Sequence, residues 1–184
     1  MGFFDWWKRG GSRTDERRSR WRTEWEAAVR SGEAGTIGRL RSSLDGFGLP
    51  EEEVEVEREM LDALERLAEV ASTVASEGLP ALVTGHRVVG RDVCHFSSPV
   101  SMPDEPSQPS GRLLLTSARA IFVGGANGAA VAWHAVAEVH CQTRDLVLVR
   151  RDRERVYRFR CNSYADALVG AFLARRISGK DGTP

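Results

Sequence analysis

The spacing of apolar residues changes at Gly78-Leu79-Pro80 in this 184-residue chain. Before this point apolar residues recur every three or four positions, as on one face of an amphipathic helix. After it they alternate with polar residues in short runs separated by turn residues, as in half-buried β-strands. Because glycine followed by proline ends a helix, the sequence predicts an α+β protein in which a helical region precedes a strand-rich region.

The helical region, residues 13–78, is predicted to contain helices at about 14–30, 35–45 and 50–77. Pro50 stands at the expected start of the last helix, where its missing N–H costs nothing, and three glutamates follow it at the positive end of the helix dipole. The apolar faces are too wide for isolated helices in water. We therefore expect these helices to pack on one another and on the strands, or to join two copies of the chain as a homo-oligomer.

The N-terminal segment, residues 1–12, combines four large aromatic residues with two cations before Gly10-Gly11. The residues are Phe3, Phe4, Trp6, Trp7, Lys8 and Arg9. Tryptophan favours the headgroup zone of a membrane and cations favour anionic lipid, so one interpretation is a short interfacial anchor. The alternatives are a contact with a partner protein and a fold-back of the aromatics onto the chain's own helices.

The strand-rich region, residues 81–178, is predicted to form an antiparallel barrel of about seven strands capped by a helix at about 163–177. Residues 81–89 are read as the first strand or strands, broken at Gly85. Leu168 and Phe172 are expected to turn the apolar side of the last helix toward the strands. Residues 179–184 are expected to form a disordered tail.

A hairpin at the centre of this region carries a resemblance to a known family. The pattern Gly-x-Leu-x-Leu-Thr-x-x-Arg-x-x-Phe, from Gly111 to Phe122, resembles the hairpin of GRAM and bacterial pleckstrin-homology domains. The segment from Trp133 to Val139 and the pair Tyr157 and Phe159 are also similar. The resemblance covers residues 81–178 and implies a pleckstrin-homology-like barrel with a C-terminal helix. It also implies an adaptor without catalysis that binds anionic lipids or proteins.

A second hairpin, near the end of the strand region, concentrates arginine. Its arginines are Arg150, Arg151, Arg153, Arg155, Arg158 and Arg160. Arginine donates paired hydrogen bonds to phosphate and carboxylate, so the cluster is a candidate site for an anionic group or lipid headgroup. The alternative is a strand edge that charge keeps soluble.

No residue pattern predicts metal or catalytic chemistry. Cys94-His95 and His140-Cys141 are adjacent pairs, and neighbours on a strand point to opposite faces, so each pair offers one ligand to a given site. Serine and histidine occur without the arrangement of a nucleophile and its base. We therefore expect no metal, no cofactor and no enzyme activity.

Charge and cysteine content bear on partners and location. The net charge is zero, which does not favour a nucleic-acid partner, although residues 31–80 carry 4 basic against 12 acidic residues and residues 81–184 carry 14 against 9. Three cysteines are an odd number, which favours a reducing compartment, and the preference for arginine over lysine is typical of a bacterial coding bias. We expect a cytoplasmic protein, with a peripheral place at the inner membrane face if the aromatic segment is an anchor.

Together these features predict a non-enzymatic binding module that docks an anionic group or a partner protein. One alternative is a purely protein-binding or self-associating protein without lipid contact. A metal-dependent or other enzyme is the remaining alternative.

Overall fold

A computed structural model describes residues 4–32, 35–124 and 128–179, and of residues 4–13 it describes the helical backbone only. The chain divides into two compact units, Met1–Ala68 and Glu69–Pro184. The helices of the N-terminal region are α1, Phe4–Ser31; α2, Gly35–Asp45; and α3, Glu55–Glu77. The second unit begins within α3 and continues through the strands.

Two tryptophans of α1 hold the helices of the first unit together. The indole Nε1 of Trp21 donates a hydrogen bond to the carbonyl oxygen of Leu40 in α2 at 2.8 Å. Trp25 donates in the same way to Met60 of α3 at 2.6 Å. Both tryptophans are buried, and a buried indole N–H requires such a partner. The prediction that these helices pack on one another is confirmed.

The helix starts differ from those expected from the sequence. Helix α1 begins at Phe4, whereas a start near 14 was predicted. Helix α3 begins at Glu55, because Pro50 opens a 3₁₀ turn over Glu51–Glu53 instead of the helix itself. The backbone of Val54 is not helical, with φ −120° and ψ 12°, so this residue separates the 3₁₀ turn from α3. Its side chain is buried.

The second unit is built on one seven-stranded antiparallel sheet, which confirms the predicted α+β class. Its strands are β1, Cys94–Ser101; β2, Ser110–Thr116; β3, Arg119–Val123; β4, Ala129–Ala132; β5, Val136–Gln142; β6, Asp145–Arg150; and β7, Val156–Cys161. Neighbours in the sheet follow the order β4-β3-β2-β1-β7-β6-β5. Helix α4, Tyr164–Ser178, follows β7 and packs on the sheet.

The sheet is strongly curved around its core. Phe122 on β3 and Phe159 on β7 are separated by β2 and β1, three strand spacings of about 4.8 Å that would place them about 14 Å apart in a flat sheet. Their ring centroids are 6.3 Å apart. The sheet therefore bends so that side chains on its concave face meet across the core. Residues of all seven strands and of α4 belong to one buried cluster.

The face that α4 turns to the sheet differs by one position from the prediction. Leu173 is 2% exposed and lies in the core, whereas Phe172 is only partly buried and has the Arg176 guanidinium 5.7 Å from its ring centroid. The inner face of the helix includes Gly170, where an added Cβ would lie 3.2 Å from the Phe96 ring. Helix and sheet approach too closely at this face for an aromatic ring, so Phe172 lies at its margin. Leu168 is buried, as expected.

Residues 81–89 do not form the predicted first strand. Leu82 makes one isolated bridge to Cys94, and Arg87–Val89 is a 3₁₀ turn. Val89 packs with Ile121 in a small cluster on the convex side of the sheet, so this segment covers the sheet instead of extending it. Ile121, which was expected in the main core, belongs to this outer cluster.

Gly111, the first residue of the hairpin motif, lies where two backbones meet. A Cβ added there would lie 2.3 Å from the carbonyl oxygen of Val123 and 2.7 Å from Cα of Gly124. No side chain fits at these distances without movement of the backbone. The absence of a side chain at Gly111 therefore allows β2 to approach the end of β3 closely.

Candidate binding surfaces

The structure brings the six predicted arginines together on the β6–β7 hairpin, and most of them bond to groups of the same chain. Asp145, at the start of β6, is 2% exposed. Arg160 donates to its carboxylate through Nε at 2.9 Å and Nη2 at 3.1 Å, and Arg158 donates through Nη1 at 3.3 Å. Burial raises the pKa of Asp145, but the hydrogen bonds from Arg160 and Arg158 outweigh it and hold the pKa below its ordinary value.

Two further acids come from the proline-containing loop between β1 and β2. Asp104 accepts a hydrogen bond from Nε of Arg158 at 3.1 Å, and Glu105 accepts one from Nη2 of Arg155 at 2.7 Å. Arg155, Arg158 and Arg160 thus face Asp104, Glu105 and Asp145, an equal number of opposite charges. Arg155 and Arg158 bind the loop to the sheet, whereas Arg160 bonds to Asp145 within the sheet.

The other three arginines of the hairpin surround its turn. Arg150 pairs with Asp152 at 2.6 Å, and Arg151 donates from Nε to the carbonyl oxygen of His134 at 2.8 Å. Arg153 is the most exposed, with 80% of its side chain accessible and Glu138 at 3.9 Å. An anionic ligand at this hairpin would have to compete with acids that the chain already supplies.

The candidate contact residues at the N-terminus fall outside what the structure describes. Phe3 precedes the described residues. Phe4, Trp6, Trp7, Lys8 and Arg9 lie within the backbone of α1, and their side chains are not described. Their role as a membrane or partner contact stays a prediction.

A surface that the sequence did not predict lies on the convex face of β3 and β4. It is a shallow groove of about 320 Å³, lined by Val88, Arg119, Ile121, Phe122, Val123, Gly124, Gly128, Ala129 and Ala130. In the β3–β4 register Ile121 lies opposite Ala130 and Arg119 opposite Ala132. Cross-strand partners share a face, so two long side chains on β3 stand beside two methyl groups on β4. The small residues of β4 leave the groove open toward the edge of the sheet.

The two edges of the sheet are guarded differently. At the β5 edge, Arg175 of α4 donates from Nε to the carbonyl oxygen of Val139 at 3.1 Å. At the other edge, the sequence of β4 is Ala-Ala-Val-Ala, without a charged residue or a proline. Proteins usually protect an edge strand with charge, proline or a covering element, because its free N–H and C=O groups can pair with another strand. Within the described strands, β4 pairs with β3 alone.

The segment that precedes β1 carries exposed apolar side chains, of which Val88 lines the groove. Leu82 is 42% exposed, Val83 is fully exposed, Val88 is 47% exposed and Val93 is 45% exposed. The two short apolar runs within residues 81–89 had favoured one or two strands here, which would not expose this surface. The signal available in the sequence was Gly85 and Gly90, which interrupt the run.

The histidines and cysteines make local contacts. Among the described residues, no group of three His, Cys, Asp or Glu side chains is placed to hold a metal ion. His95 shares a hydrogen bond with the carbonyl oxygen of Pro80 at 2.7 Å, and His140 lies 2.8 Å from Glu138. Burial raises the pKa of the Cys161 thiol to about 12, which disfavours the reactive thiolate.

None of the described helices is both long and apolar enough to cross a bilayer.

Comparison with known proteins gives distant structural likenesses only. No family model matches the chain, and no curated protein does. Among solved structures, the C-terminal domain of an unknown protein from Leishmania infantum matches with TM-score 0.42 and 8% identity over 49% of this chain and 88% of that one. The DH/PH domains of PDZ-RhoGEF, solved with activated RhoA, match with TM-score 0.42 and 10% identity over 92% of this chain and 54% of that one. Linker-DH/PH domains of p115-RhoGEF match with TM-score 0.42 and 12% identity over 96% and 70%.

The likeness to DH/PH structures spans most of the chain, but at this TM-score and identity it assigns no function. The fold is that of an α+β protein in which a C-terminal helix packs on a curved seven-stranded antiparallel sheet.

Proposed function

We propose that this chain is a non-enzymatic binding module of pleckstrin-homology-like type, which docks an extended segment of a partner protein along β4. The observation that carries the proposal is the edge of β4, which among the described strands pairs with β3 alone, beside an open groove. A segment added there as an eighth strand would gain main-chain hydrogen bonds from β4, and its alternate side chains would enter the groove.

The sequence also suggested docking of an anionic group at the hairpin arginines. Their pairing with Asp104, Glu105 and Asp145 disfavours that mode, because an incoming anion must replace existing charge-assisted hydrogen bonds. The exposed Val88 in the groove, in contrast, has apolar surface to bury against a partner. The edge strand is therefore the better supported site.

The proposal is tested by selecting random dodecapeptides displayed on phage against the full-length protein. The selected peptides are then titrated by fluorescence polarisation against the wild type and an Ala130→Lys variant. Ala130 is exposed and central on the outer face of β4, so a lysine there should occupy the groove and lower peptide affinity at least about tenfold. Val156→Lys places the same charge at an exposed position on β7 and serves as the matched control.

Amide chemical-shift changes locate the bound peptide. We expect the largest changes in Arg119–Val123 and Ala129–Ala132, the strands that form the groove. Peptides that bind Ala130→Lys as tightly as the wild type, or that shift the β6–β7 hairpin instead, would refute docking along β4. Sedimentation with phosphatidylserine vesicles tests the competing surface: binding that survives Ala130→Lys would favour the anionic membrane.

A further inference from the structure

The groove beside β4 is apolar except at one end, where Arg119 has unused hydrogen-bonding capacity. Nε of Arg119 lies 3.4 Å from Oδ2 of Asp92, and Nη2 donates to the carbonyl oxygen of Val88 at a long 3.5 Å. Nε is buried and, within the described part of the chain, makes no hydrogen bond. The buried Nε cannot reach a ligand, but the Arg119 side chain is 42% exposed, and the N–H donors of its two terminal nitrogens, apart from the one given to Val88, remain for a ligand. Arg160, by comparison, donates twice to a single carboxylate at 2.9 and 3.1 Å.

The charges near this end of the groove are predominantly positive. Arg87 and Arg91 flank the turn that contributes Val88, and both are exposed. Asp92 is the acidic residue of that segment, and besides Arg119 it accepts a hydrogen bond from Thr116 at 3.3 Å. The β6–β7 hairpin balances its arginines with acids, whereas residues 87–92 together with Arg119 carry three arginines and one aspartate. An acidic ligand group would therefore be attracted to this end of the groove.

The strand register places apolar and charged positions two residues apart. On the face that lines the groove, Ile121 stands opposite Ala130 and Arg119 opposite Ala132. A strand added beside β4 would place one side chain next to Ala130 and, two residues along, another next to Ala132. Its backbone would lie two strand spacings, about 10 Å, from β3. A glutamate on the added strand and Arg119 are both long enough to meet above the small alanine between them.

We propose that the segment docked along β4 carries a glutamate two residues from an apolar side chain, the glutamate pairing with Arg119 and the apolar side chain covering Ile121. This inference rests on the proposed docking at β4 and names the chemistry of the partner. Arg119 acts as a specificity-determining residue, because a docked strand without an acid opposite it would shield the exposed part of the guanidinium from water and leave it only Asp92 and the Val88 carbonyl as partners.

The test uses the peptides selected against the full-length protein. We expect them to be enriched in glutamate at position i with an apolar residue at i+2 or i−2. Arg119→Met removes the charge while keeping much of the length of the side chain, and should weaken these peptides about tenfold, which corresponds to about 1.4 kcal/mol. Arg112→Met removes an exposed arginine from β2 that donates to Ser97 and is the matched control.

A double-mutant cycle assigns the loss to the pair. Replacing the peptide glutamate by glutamine should weaken binding to the wild type and have little further effect on Arg119→Met. Raising NaCl from 50 to 200 mM should weaken the glutamate peptide more than its glutamine version. Some selected peptides could lack an acid, lose binding to Ala130→Lys and bind Arg119→Met as tightly as the wild type. Such peptides would refute the role of Arg119 while leaving docking at β4 intact. A selection that yields no β4-binding peptide would overturn both.

Discussion

Replacing Leu173 by alanine tests which residue of α4 fills the core of the sheet unit. The side chain is 98% buried and loses three carbon atoms in the substitution, worth about 2.4 kcal/mol at about 0.8 kcal/mol for each buried methylene. The cavity left behind adds to this loss, since helix and sheet cannot fully close it. We expect the free energy of unfolding to fall by about 3–4 kcal/mol, within the range known for buried leucines.

Phe172→Ala is the matched comparison on the neighbouring position. Phe172 loses more atoms, but it is only partly buried and sits at the margin of the core. We expect a smaller loss of about 1–2 kcal/mol, because part of the ring already contacts solvent and its removal leaves no enclosed cavity. The sequence alone predicts the opposite order, since the larger aromatic residue would be the plug.

Urea unfolding of the full-length variants separates the two expectations. Trp133 is the one tryptophan of the second unit, is 6% exposed and donates from Nε1 to the carbonyl oxygen of Thr116 at 2.7 Å. Incorporating 5-fluorotryptophan and following the Trp133 resonance by fluorine NMR reports unfolding of that unit alone. If Phe172→Ala lowers the free energy of unfolding as much as Leu173→Ala or more, then α4 does not pack on the sheet through Leu173 as described.

Three other predictions follow from single contacts. Gly111→Ala should lower the free energy of unfolding by at least about 2 kcal/mol, because its Cβ meets backbone atoms. Gly85→Ala, whose Cβ meets nothing within 4 Å, should change it by no more than about 0.5 kcal/mol. Urea unfolding midpoints measure both, and equal effects would contradict the close approach of the backbones at Gly111. Asp145→Asn should destabilise the protein by about 2 kcal/mol at pH 7. Because the folded-state pKa of Asp145 is lowered, its stabilising effect is complete above the unfolded value of about 3.9 and is lost as pH falls through the lower, folded value. The difference between wild type and variant should therefore begin to shrink below about pH 4 and vanish only below the folded pKa. A constant difference would exclude the ion pair as the cause. Cys161, buried and with a raised pKa, should resist a thiol reagent at pH 8 until urea unfolds the protein, and rapid labelling of the native state, located by mass spectrometry, would contradict its burial.

Much of the fold was predictable because its signals are local. The change of apolar period near Pro80 separates helices from strands, and the strand pattern of the Gly111–Phe122 hairpin places Leu113, Leu115 and Phe122 in the core, where they lie. The prediction failed where one pattern fits two structures. The short apolar runs in residues 81–89 suit a strand, but this segment forms a 3₁₀ turn and one isolated bridge, and only Val89 is buried, on the convex face.

The candidate sites depend on contacts between distant parts of the chain. The sequence shows that residues 150–160 are rich in arginine, yet Arg155 meets Glu105 and Arg158 meets Asp104, 50 and 54 residues away. Whether these charges are free to bind a ligand was therefore not readable from the hairpin itself. The groove was equally hidden, because its lining comes from Val88, β3 and β4, which neighbour one another only in the folded sheet.

The sequence by itself determined which segments become helices and strands, since side chains within four positions set the period and the turn residues set the ends. Only the tertiary structure decided that β4, a strand without charge or proline, lies at one edge of the sheet. The same holds for the hydrogen bond that Arg175 donates to β5 at the other edge. Strand order is selected by burial of the whole apolar face around one core, a property of all seven strands together that no single segment encodes.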